Sequence, residues 1–104
     1  MLLVITYDVD TTSAKGAKRL RKVAKLCERN GIRVQNSVFE VLADSAQFVV
    51  LKTELSEIID HEHDSIRFYR LGNSYQNKIE TMGRTPSVQV GEPVSYTHLT
   101  LPTT

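Results

Sequence analysis

The segment "LLVITYDV", Leu2 to Val9, is apolar on both of its faces near its start. In an extended chain Leu2, Val4, Thr6 and Asp8 point one way, and Leu3, Ile5, Tyr7 and Val9 the other. A strand with two apolar faces needs cover on both, so it belongs inside a sheet and not at its edge. It closes on Asp8, before the polar loop "DTTSAKG". A chain of 104 residues buries about two-thirds of its unfolded surface, enough for one modest core. The rest of the chain is therefore expected to fold around this strand as a single domain.

A helix is predicted over roughly Ser13 to Asn30. Ala17, Leu20, Val23, Ala24 and Cys27 recur at helical spacing and form one apolar stripe. Lys18, Lys22, Lys25 and Arg29 fall on the opposite face, and Arg19 and Arg21 flank the stripe. Thr12 or Ser13 suits the N-cap, and Gly31 stands where a left-handed C-cap is expected. Cys27, on the buried stripe, reads as core and not as a nucleophile.

In "GIRVQNSVFE" the apolar residues sit at even positions, Ile32 and Val34, and then at odd ones, Phe39 and Val41. That slip of phase predicts two short antiparallel strands, Ile32–Gln35 and Val38–Leu42, joined at Asn36–Ser37. A second helix follows from about Ser45 to Glu62, with Phe48, Leu51, Leu55, Ile58 and Ile59 as its stripe. Asp44 and Gln47 are spaced as a capping box. "SIRFYRL", Ser65 to Leu71, alternates as a last strand, ended by "GN".

The resulting order, βαββαβ, is that of a ferredoxin-like α+β fold, with both helices on one face of an antiparallel sheet. The second face would then be bare, bearing Leu2 and Val4 or Leu3 and Ile5. Face-to-face association of two copies would cover it, so a homodimer is expected. "NKIETMG" (Asn77–Gly83) is a candidate further strand, pairing across that dimer. The domain is expected to span 1–93. From Val94 to Thr104 the chain lacks acids, lysine and arginine, and it reads as a disordered or non-native tail.

No run approaches the ~18 apolar residues of a membrane span, and the N-terminal segment does not have the pattern of a signal peptide. One cysteine provides no disulfide framework or metal knuckle. A cytoplasmic protein without a membrane partner is expected. The net charge of +1 conceals a segregation. Lys15, Lys18, Arg19, Arg21, Lys22, Lys25, Arg29 and Arg33 face a single acid, Glu28. From Glu40 to Asp64 seven acids stand against Lys52 alone. Arg67, Arg70, Lys78 and Arg84 then outnumber Glu80. A basic face set apart from an acidic one attracts polyanions, although two oppositely charged solvated helices have the same composition.

Asp8 is the first candidate for chemistry because it ends an interior strand. A strand-end aspartate also serves to cap the loop that follows it. A single carboxylate is a sparse site for Mg2+, which takes one or two together with water and substrate phosphate. Two copies of Asp8 converging in a dimer would share a cation and suit phosphodiester hydrolysis. Arg19, Arg21 and Arg33 offer bidentate phosphate contacts, or are ordinary surface charges. "HEHD", His61 to Asp64, reads as the solvated end of an acidic helix. Phosphate-binding glycine loops and a Ser/His/Asp arrangement are absent. So is the aromatic pair with which RNA-recognition domains of this topology stack bases.

"ITYDVD", the basic helix with "KRLRKVAK", "GIRVQNSVFE" and "DSIRFYRLGN" follow one another at compatible distances over Met1 to Pro93. This series resembles the CRISPR-associated protein two family, the small subunit of the complex that acquires new spacers. The resemblance implies a ferredoxin-like homodimer that bridges two dimers of the CRISPR-associated integrase across captured DNA. It also implies a nuclease dependent on Mg2+, or on Mn2+, acting on single-stranded RNA or double-stranded DNA. The family's metal-binding, catalytic aspartate falls on Asp8 and the preceding tyrosine on Tyr7. Its helix arginines fall on Arg19 and Arg21, and its strand arginine and phenylalanine on Arg33 and Phe39. The loop before the helix is longer here than in many members, and the Thr-rich ending differs from theirs. A non-catalytic DNA-binding scaffold and a stand-alone, toxin-like ribonuclease are the alternative functions.

Overall fold

The computed structural model describes residues 1–83; the expected boundary after Pro93 and the tail from Val94 lie outside them. In chain order the elements are β1 (Leu2–Asp8), α1 (Ala14–Glu28), β2 (Gly31–Gln35), β3 (Val38–Leu42), α2 (Ser45–Ile58) and β4 (Ser65–Gly72). The strands lie in the order β2-β3-β1-β4, all neighbours antiparallel. This is the ferredoxin-like arrangement, and β1 is interior, as its two apolar faces require.

Both helices cover the face that carries Leu3, Ile5 and Tyr7. These pack with Phe39 and Val41 of β3, Leu20, Val23 and Cys27 of α1, and Phe48, Leu51 and Leu55 of α2. Phe48 meets Phe68 of β4 edge to face, with ring centroids 5.4 Å apart. Cys27 is core, as expected: burial, with Glu28 beside it, pushes its thiol up to about 12. A thiol held that far above its free value is protonated at neutral pH and unreactive. Native protein at pH 8 is therefore expected to resist alkylation by iodoacetamide, and unfolded protein to be alkylated fully, as intact mass will report.

The capping box forms as its spacing predicts. Asp44 accepts from the Gln47 amide at 2.7 Å and Gln47 accepts from the Asp44 amide at 2.8 Å. Ser13 caps α1, its hydroxyl accepting from the Gly16 amide at 3.0 Å. The two short strands are present as well, with a register shift between Arg33 and Gln35 at the point where the apolar phase slips.

Two expectations are corrected. Gly31 is not a left-handed cap, for among the described residues only Gly72 and Gly83 have positive φ. It opens β2, and a Cβ placed there would lie 1.9 Å from the Glu40 carbonyl oxygen. The glycine permits a close strand approach, and because the obstacle is backbone it moves only with the sheet. Gly31→Ala is expected to destabilise the fold by about 1–3 kcal/mol, read as a lower urea midpoint with unchanged slope. Secondly, α2 stops at Ile58 and not near Glu62. The Asp60 side chain accepts from the Glu62 amide at 3.0 Å, and its carbonyl from the Asp64 amide at 2.7 Å. That local turn competes with another helical one. Within the chain Asn77–Gly83 pairs with no described strand; a strand that pairs across a dimer needs the second copy and stays an expectation.

The second face presents Val4, Thr6 and Asp8 from β1, Val38, Glu40 and Leu42 from β3, and Arg67 and Tyr69 from β4, with Ile32 opposite Glu40. It is less bare than its composition suggests, because Leu2 is buried and Val4 half-buried. Burial among these aliphatic neighbours raises the Glu40 carboxyl above its ordinary range.

Candidate functional site

Asp8 is the last residue of β1 and is exposed. It pairs across the ladder with Ser65, and Thr6 pairs with Arg67. Thr6, Asp8, Ser65, Arg67 and Tyr69 line a shallow hollow on the second face. Strands hold all five residues, so the backbone under the hollow is fixed by the ladder. Among the described residues the Asp8 carboxylate joins no ion pair.

The loop-capping role open to Asp8 belongs to Asp10 instead. Asp10 accepts from the Thr12 amide at 2.9 Å and from the Thr12 hydroxyl, and these bonds hold its carboxyl below the usual range. Its carbonyl lies against Gly16, where an added Cβ would stand 1.8 Å from the oxygen. The loop after β1 is thus seated on the first turn of α1 without drawing on the Asp8 carboxylate.

Tyr7 points to the other side of the sheet, into a partly buried polar cluster. Its hydroxyl donates to Oδ2 of Asp64. Arg19 grips the same carboxylate with two bonds, Nε to Oδ2 at 2.8 Å and Nη2 to Oδ1 at 3.1 Å. The Asp60 amide adds another at 3.0 Å. The Asp64 side chain is wholly inaccessible, whereas that of Arg19 is 21% exposed. Burial pushes the Asp64 carboxyl up, but the bonds from Arg19, Tyr7 and the Asp60 amide outweigh it, and its pKa lies below the usual carboxylate value. Tyr7 goes the other way: burial, then its bond to Asp64, push its hydroxyl up to about 12.

Arg33 lies opposite Phe39 on the helix side of the sheet. Its Nε donates to the Asn36 carbonyl at 2.8 Å, and its guanidinium stands 5.8 Å from the centre of the Phe39 ring. Arg21 is exposed on α1. The six residues singled out from the sequence are therefore not gathered at one place. Asp8 opens on one face, Tyr7, Arg19, Arg33 and Phe39 serve the other, and Arg21 lies on the helix surface.

Two residues of this region were missed by pattern reading. Asp64 sat in a polar run read as solvated. Arg67 entered only the charge count, although the alternation of "SIRFYRL" puts Ser65, Arg67 and Tyr69 on one face. Neither described histidine lines the hollow: His61 bonds the Ser56 carbonyl at 2.7 Å and His63 the Asp60 carboxylate at 3.0 Å.

Among the described residues no group of three or more His, Cys, Asp or Glu side chains converges. As metal donors the hollow offers oxygen only: the Asp8 carboxylate and the hydroxyls of Thr6, Ser65 and Tyr69. This donor set fits a hard cation that keeps most of its water, as Mg2+ does, and does not fit a dehydrated structural metal. No helix among the described residues is long and apolar enough to cross a membrane.

Comparison with known proteins agrees with this fold. The family model for CRISPR associated protein Cas2 matches residues 1–79. A CRISPR-associated endonuclease Cas2 of Halalkalibacterium halodurans is 55% identical over 96 residues, 92% of this chain and 100% of the relative. A CRISPR-associated endoribonuclease Cas2 of Rhodospirillum rubrum is 46% identical over 93 residues, 89% of this chain and 98% of the relative. The crystal structure of Streptococcus pyogenes Cas2 at pH 6.5 superposes with a TM-score of 0.75 at 54% identity, covering 80% of this chain and 100% of that one. The chain belongs to the CRISPR-associated protein Cas2 family.

Proposed function

We propose that the protein is a metal-dependent endonuclease of the CRISPR spacer-acquisition machinery, with Asp8 as its catalytic and metal-binding residue. The observation that carries the reading is the uncommitted Asp8 carboxylate, exposed at the end of an interior strand in a hollow lined by hydroxyls and an arginine. The names of its relatives, endonuclease and endoribonuclease, support the reaction class. A Mg2+ or Mn2+ ion bound at Asp8 supplies an activated water and charge stabilisation for phosphodiester hydrolysis. Thr6 and Ser65 orient water beside the carboxylate, and the ladder holds all three in place. Two copies associate through the second sheet face, where half-buried Val4, Val38 and Leu42 favour contact with another apolar surface, and the Asp8–Ser65 end of that face lies at the rim, open to nucleic acid. The work is cytoplasmic, with nucleic acid and the CRISPR-associated integrase as partners.

Cleavage of single-stranded RNA and of duplex DNA in Mg2+, by wild type and Asp8→Ala, tests the catalytic reading; equal rates in the two proteins overturn it.

A second reading, a DNA-binding scaffold that bridges integrase dimers, has its own observation. Lys15, Lys18, Arg21, Lys22, Lys25 and Arg29 are all exposed on or beside α1 and form no ion pairs among the described residues. A field of that kind binds backbone phosphate whatever the sequence. Asp8→Ala protein that still binds integrase and captures spacer DNA separates this role from catalysis.

A further inference from the structure

The sequence offers Arg19, Arg21 and Arg33 as phosphate ligands, yet none of the three lines the hollow with Asp8. Arg19 is gripped by Asp64 behind the sheet, Arg33 is bonded to Asn36 at the β2–β3 turn, and Arg21 lies on the helix surface. The cation that does stand there is Arg67. It pairs with Thr6, one step along the ladder from the Asp8–Ser65 pair, on the same face. Diagonal neighbours on a sheet face lie about 7–8 Å apart, within reach of an arginine side chain.

Two further observations bear on Arg67. It is exposed and joins no ion pair among the described residues, although a carboxylate stands diagonally across from it. Its Nη1 donates instead to the Tyr69 hydroxyl on its own strand, at 3.2 Å. That bond directs one edge of the guanidinium along β4 and leaves its remaining N–H groups for a ligand. Asp8 and Arg67 are thus opposite charges held side by side and left unneutralised by each other. A phosphodiester suits such a pair, because it meets a cation at the carboxylate with one oxygen and a guanidinium with another.

We propose that Arg67 binds a phosphate of the nucleic-acid strand beside Asp8, and that Tyr69 positions its guanidinium. The inference deepens the nuclease reading and rests on it for the chemistry, but the binding role can be measured without cleavage. Arg67 takes the phosphate through two N–H groups, and no proton or covalent bond changes hands. The shared ligand is the phosphodiester; RNA and DNA arms of the test tell the two sources apart.

The test compares wild type with Arg67→Gln, Arg67→Lys, Tyr69→Phe and Asp8→Ala, all checked for unchanged melting temperature. Cleavage of single-stranded RNA and duplex DNA in Mg2+ gives kcat and KM. Binding of the same oligonucleotides in EDTA is followed against salt. Arg67→Gln is expected to lose at least about 10-fold in kcat/KM, with a salt slope shallower by about one counterion. Arg67→Lys restores the salt slope, because the charge returns, but not kcat, because the two-pronged contact does not. Tyr69→Phe keeps the slope and loses only a few-fold in kcat/KM. If Asp8→Ala is inactive while Arg67→Gln keeps wild-type kcat/KM and salt slope, this inference alone falls. If Asp8→Ala cleaves as fast as wild type, the nuclease reading falls, and the salt slope still decides whether Arg67 binds phosphate. A lowered slope in the RNA arm only, or in the DNA arm only, supports the inference and names the strand.

Discussion

Asp8→Ala is expected to lower Mg2+-dependent cleavage by about 10²–10³-fold, the loss usual when a charge-stabilising group is removed from a reaction centre. The size of the effect follows from the hollow, in which Asp8 supplies the sole carboxylate of the lining. Without it, hydroxyls and an arginine remain, and that set repels a cation. Asp8→Asn keeps the shape and removes the charge, so it is expected to be as inactive as the alanine variant. Neither change touches the core: the side chain is exposed and unpaired among the described residues, and loop capping belongs to Asp10. Folding stability is therefore expected to stay within about 0.5 kcal/mol of wild type. Single-turnover cleavage and thermal melts on the same samples check both halves. Asp8→Asn cleaving at the wild-type rate would remove charge from the explanation.

Asp64→Ala is expected to produce the opposite signature, a large loss of stability. The carboxylate is wholly buried and accepts from Arg19, Tyr7 and the Asp60 amide. Its removal leaves the Tyr7 hydroxyl and the Asp60 amide without their acceptor. Arg19, partly exposed, can turn toward water, which places the cost near the lower end for a broken buried pair, about 3 kcal/mol. For a domain of this size that is a fall of about 12–24 °C in melting temperature. The pH dependence gives an independent check. Because the folded pKa of Asp64 is depressed, its contribution is present above the unfolded value, about 3.9, and is lost as pH falls through the lower folded value. Wild type should thus lose stability below about pH 4, and Asp64→Ala should lose less there. Tyr7 has the reverse sign: its hydroxyl is held up to about 12, so stability is complete below about pH 10 and declines as pH rises toward about 12. Equal acid limbs in urea titrations of the two proteins would show that Asp64 is not the titrating group.

The elements were legible in the sequence because each is fixed by a local period. The apolar stripe of α1, the alternation of β4 and the phase slip at Arg33–Gln35 are all properties of neighbouring residues. The partly buried cluster was not legible, because nothing local distinguishes Asp64 from the acids around it. Its partners arrive from β1 and α1, and only they turn a polar run into part of the interior. Gly31 was misread for a related reason. A glycine after a helix suits a left-handed cap, and the competing demand came from the Glu40 carbonyl on the neighbouring strand. At the site, Asp8 was found from its place at a strand end. Arg67 became visible only when the register set it across from Thr6.

Tyr7 and Asp64 are 57 residues apart in sequence, and Arg19 and Asp64 are 45 apart. β4 therefore reaches β1 only after α1, β2, β3 and α2 have been made. Closing so long a loop costs more chain entropy than a local contact does, so this pairing is expected late in folding. The hollow has one wall from β1 and the other from β4, so a chain still growing from the ribosome exposes Asp8 on an unfinished sheet. The hollow exists only once β4 pairs with β1, and the strand that completes it brings Arg67 with it.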